Sequence, residues 1–64
     1  MKVELTIKDK DGRTICENER YDYDELRNNA GFSNDERRCF LDLVPFMGAI
    51  TFPRGDSTFR VARV

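Results

Sequence analysis

Two thiols, a run of carboxylates and a set of arginines are the side chains of this sequence with chemistry to offer. Cys16 and Cys39 stand alone rather than in the Cys-x-x-Cys spacing of a tetrahedral zinc site, and there is no histidine. The missing histidine also removes the Ser–His and Cys–His pairs of nucleophilic catalysis. No Gly-rich strand-to-helix loop is present to cradle a phosphate. Arg38 beside Cys39 could lower that thiol's pKa, but a chain of 64 residues offers little volume for a pocket. Unpaired cysteines are commonly small buried hydrophobes, and both are read that way here. These residues predict no enzyme, no metal and no cofactor.

The carboxylates cluster. Between Glu17 and Glu25, the acids Glu17, Glu19, Asp22, Asp24 and Glu25 face one base, Arg20. Paired carboxylates can do acid–base work if their environments push their pKa values apart, yet no apolar pocket is evident around either of a pair. They can also hold a hard cation, but an EF-hand loop would need a central Gly and a terminal Glu that do not line up. A solvated strand edge and helix start account for them. Their other reading is an acidic recognition patch for a basic protein surface.

Arginine outnumbers lysine eight to three, and from Gly48 onward Arg54, Arg60 and Arg63 oppose only Asp56. With Phe52 and Phe59 nearby, these three form a candidate basic patch for nucleic acid, by charge plus stacking. Alternation argues against stacking, because both phenylalanines share a strand face with Ile50 and Val61. The net charge of −1 also denies the chain the overall positive field of a phosphate binder. Arg54-Gly55-Asp56-Ser57 resembles the adhesive tripeptide recognised by integrins. A type II′ turn asks for Gly-Asp on its own account, and the turn is the reading adopted.

The elements that must position these residues follow from periodicity. Val3, Leu5 and Ile7 alternate with polar residues as a half-buried strand does. Asp9-Lys10-Asp11-Gly12 supplies a type I turn closed by a bulge, which places Asp9 opposite Arg13 and Ile7 opposite Ile15. A second strand then runs from Arg13 to Tyr21, with the polar outer half of an edge strand. Asp22 and Glu25 fit a capping box opening a helix of about two turns, with Leu26 and Ala30 on one side and Gly31 at its end. Ser33 and Glu36 fit a second box. Cys39, Phe40, Leu43, Val44 and Met47 then form an apolar stripe, and Pro45 stops the regular helix near Leu43 or Val44. Two last strands carry Ile50 and Phe52, then Phe59 and Val61, joined at Gly55-Asp56 so that Phe52 meets Phe59. Pro53 puts its strand at an edge.

The predicted fold is α+β: one domain spanning residues 1 to 64, two β-hairpins joined by a helical segment on one sheet face, in the order β-β-α-α-β-β. A core of this size is thin, and without a metal or a disulfide a second copy is the expected support, a homodimer being the simplest. No apolar run approaches a membrane span, and Met1-Lys2-Val3-Glu4 opens no secretion signal, which predicts a cytoplasmic protein with reduced thiols. The function expected is a protein-interaction module, such as a regulator, an adaptor or a phage-type inhibitor of a protein partner. The alternatives are a nucleic-acid-binding regulator using the C-terminal arginines and a structural subunit of a larger assembly.

Overall fold

Alternating side chains let β1 (Lys2–Lys8) and β4 (Ser57–Arg63) each bury one face, Val3 and Leu5 from the first and Val61 from the second. In the computed structural model, which describes Met1–Val64, these two strands lie side by side at the centre of one antiparallel sheet. β2 (Thr14–Asp22) flanks β1 and β3 (Ala49–Arg54) flanks β4, giving the order β2-β1-β4-β3. The polar strand and the strand holding Pro53 are therefore the two edges, where a missing donor and exposed charges are tolerated.

The C-terminal hairpin has the expected register, with Phe52 paired to Phe59 and Ile50 to Val61. Gly55 takes a φ of 61° at the turn, a conformation that strains residues with a Cβ. At the N-terminal hairpin, the Gly12 N–H donates to the Asp9 carbonyl, and an Asp9 carboxylate oxygen accepts from the amides of Asp11 and Arg13. Gly12 has a φ of 82°, as the bulge-closed turn requires.

Beyond that turn the register departs from expectation. Lys8 pairs with Thr14 but Ile7 pairs with Cys16, so Ile15 is an extra residue and lies exposed rather than opposite Ile7. A second irregularity falls at Asn18, whose φ is 51° and whose amide donates to Thr6 Oγ1. Two interruptions in one edge strand bend it and limit its use as a template for further pairing.

The helical layer is three short pieces. α1 (Tyr23–Arg27) is shorter than expected and ends at Asn28, before Ala30 and Gly31. The Asp22 side chain makes no cap hydrogen bond, so the first capping box does not form; its carboxylate lies 4.0 Å from the Met1 amino group instead. α2 (Asn34–Cys39) opens with the second box complete, Glu36 N–H to Ser33 Oγ and Ser33 N–H to the Glu36 carboxylate. That helix stops at Cys39, six residues before Pro45; a 3₁₀ turn, Leu41–Leu43, follows, and then α3 (Val44–Met47). A continuous helix would drive the Pro45 ring into the carbonyl four residues earlier, whereas in the first turn of a new helix the proline costs no bond.

That break changes which residues face inward. Leu41 and Val44 are fully buried, Phe40 is half-buried and stacks on Phe52 at 4.6 Å between ring centres, and Cys39, Leu43 and Met47 face solvent. The core comprises Val3, Leu5, Leu26, Phe32, Leu41, Val44, Phe52 and Val61, with no buried polar group. Phe32 completes it by meeting Phe52 and Phe59 edge-on. No helix is long and apolar enough to cross a membrane.

Candidate interaction cleft

Because α1 has only five residues, it shields only part of the sheet face it lies over. Between it and the strands is a cleft of about 450 Å³ floored by Leu5, Ile7, Leu26, Phe32 and Phe59. Tyr21, Glu25, Asn29 and Arg54 stand at its rim. An apolar floor with a few convergent polar groups is the ordinary composition of a binding site.

The rim charges are not equivalent. Arg54 donates through Nη2 to the Gly31 carbonyl, its Nε lies 3.4 Å from a Glu36 carboxylate oxygen, and its guanidinium covers the rings of Phe32 and Phe59 at 5.0 and 5.4 Å. It is a strut between the last hairpin and α2, with its charge answered by Glu36. Glu25 is in no ion pair. Tyr21 donates its hydroxyl to Glu19 at 2.7 Å, bringing a second unpaired carboxylate to the same side. That carboxylate raises the Tyr21 pKa, first through the hydrogen bond and then through its charge.

Of the acidic residues singled out by sequence, the structure places Glu25 on the cleft rim and Glu19 behind it, outside the lining but hydrogen-bonded to the rim residue Tyr21, and disperses the rest. Glu17 lies exposed in the irregular stretch of β2, Asp22 sits by the N-terminus, and the charge of Asp24 acts on Tyr23 and Arg27. The arginines do not form one patch. Arg54 is on the cleft rim, Arg60 lies between Thr6 and Thr51 on the opposite sheet face, and Arg63 donates to the Pro45 carbonyl at 3.0 Å beside α3. Phe52 is buried and Phe59 is capped by Arg54, so neither is free to stack on a base.

No protein-family model, curated protein or solved structure matches this chain.

Cys16, only partly buried, gives its S–H to the Leu5 carbonyl, and burial followed by the Glu19 carboxylate pushes its pKa up. A thiol held protonated is a poor nucleophile. No three Cys, Asp or Glu side chains converge as a metal's ligands would. A second depression, lined by Arg27, Asn34, Arg37 and Arg38, gathers three guanidiniums, but each donates within the fold. Arg37 alone holds the Arg27 and Asn29 carbonyls and the Asn34 side chain.

The sequence did not reveal the cleft. Phe32 lies in the connection between α1 and α2, outside any periodic stretch, so neither alternation nor helical spacing marked it as core.

Proposed function

We propose that this chain is a non-enzymatic protein-interaction module whose cleft takes a partner segment that pairs an apolar side chain with a lysine or arginine. The observation supporting it is an apolar floor edged by the Glu25 carboxylate, which is in no ion pair, with Glu19 next to the rim on the Tyr21 hydroxyl and the rim's one cation already neutralised. Charge complementarity selects the partner and sets its orientation, while the apolar contact supplies most of the affinity. Regulators, adaptors and inhibitors of a protein partner all work this way, and the reading fits each.

Panning a random-peptide display library against the immobilised domain tests it. The enriched sequences should carry Lys or Arg within two positions of an aromatic or large aliphatic residue, and their binding should be lost in the Glu19→Lys/Glu25→Lys variant. Enrichment of acidic sequences, or binding unchanged by that variant, contradicts the reading.

A further inference from the structure

The chain carries a surface of the kind this cleft would accept. Leu43, Phe46 and Met47, on the short turns around Pro45, are 41%, 85% and 67% exposed. Scattered exposed apolar residues are ordinary, but three within five positions, one of them a nearly bare phenylalanine, form a patch. Beside it lies a cation. Arg63 is exposed, reaches the Pro45 carbonyl at 3.0 Å, and is in no ion pair. Phe46 with Arg63 is thus an aromatic residue flanked by an unanswered positive charge, and neither lines the cleft.

We propose that Phe46 and Arg63 of one copy dock into the cleft of a second copy, Phe46 on the apolar floor and Arg63 against Glu25 and Glu19. This rests on the cleft being a site for a basic, apolar segment, and names that segment. The cleft is large enough, since a cavity of about 150 Å³ already holds a benzene ring, against about 450 Å³ here. Charge is complementary as well: Arg54 is neutralised by Glu36 and does not repel the incoming arginine. Because the two surfaces differ, the contact is head-to-tail. Copies joined this way form a ring if the rotation closes and an open row if it does not, rather than a two-fold dimer.

Sedimentation velocity on mixed variants tests the proposal. Wild type at high micromolar concentration should sediment as species larger than a monomer. Phe46→Glu, which has an intact cleft, and Glu19→Lys/Glu25→Lys, which has an intact Phe46, should each be monomeric, with wild-type circular dichroism. Mixed one to one they should form a heterodimer that grows no further, because each supplies one half of a single contact. A monomeric wild type, a Phe46→Glu variant of wild-type size, or a mixture that stays monomeric would overturn the proposal. The peptide acetyl-Arg-Phe-amide separates this from the reading beneath it. If it binds the cleft while wild type stays monomeric, only self-association fails; if wild type is monomeric and the peptide does not bind, both fail.

Discussion

Arg27 donates to both oxygens of Asp42, and this hydrogen-bonded pair, helped by the arginine's charge, holds the Asp42 carboxyl below the usual carboxylate range. A carboxyl with a depressed folded pKa contributes stability above its unfolded pKa, about 3.9 for Asp, and loses it as pH falls through the folded value. Asp42→Asn should therefore lower the melting temperature at pH 7, and its deficit against wild type should close as the pH is taken from about 4 towards 2. A deficit constant across that range in thermal melts would contradict the pairing. The two thiols differ for equally local reasons. Cys39 is exposed, whereas burial and Glu19 hold the Cys16 thiol protonated. Alkylation at neutral pH, followed by peptide mass mapping, should modify Cys39 first; equal rates in the native protein and a clear difference only in denaturant would be the wrong order.

At the scale of elements, the Ser33–Glu36 box does two tasks, starting α2 and holding the carboxylate that answers Arg54. Ser33→Ala should cost about 0.5–2 kcal/mol, the usual worth of an N-cap. Phe52, 1% exposed beneath the helical layer, should cost about 3–5 kcal/mol on replacement by Ala. Phe40→Ala should cost clearly less, because Phe40 is only half-buried. Urea denaturation of the three variants checks the order, and a Phe40 loss equal to that of Phe52 would contradict it. The elements whose local signals agreed with one another were legible: β1, the Asp9–Gly12 turn, the register of the last hairpin and the Ser33 cap. β2 was legible in its extent and as a polar edge strand, but not in its register, because one extra residue at Ile15 and another irregularity at Asn18 break its alternation. The helix phase was lost for a different reason. An apolar spacing of Cys39, Phe40, Leu43, Val44 and Met47 fits an unbroken helix, but Pro45 forces a restart, and the restart turns Leu43 and Met47 out while bringing Leu41 in.

For the molecule as a whole, the proposed function turns on how incompletely a thin helical layer covers a four-stranded sheet. Charge runs in sequence suggested an acidic middle and a basic tail, and of the first, Glu25 lines the cleft while Glu19 reaches its rim through the Tyr21 hydroxyl. The basic tail scattered because alternation sends Arg60 to one face of β4 and Arg63 to the other, while Arg54 belongs to a different strand. Which carboxylates meet depended on the sheet register and the length of α1, neither of which the charge pattern contains. The most direct test of the cleft is a titration of the isotopically labelled domain with acetyl-Arg-Phe-amide, followed by amide chemical shifts. Shifts should saturate and concentrate at Tyr21, Glu25, Leu26, Phe32 and Phe59, and should be absent with acetyl-Glu-Phe-amide. Shifts confined to residues away from these, equal shifts from both peptides, or none at millimolar peptide would contradict the account.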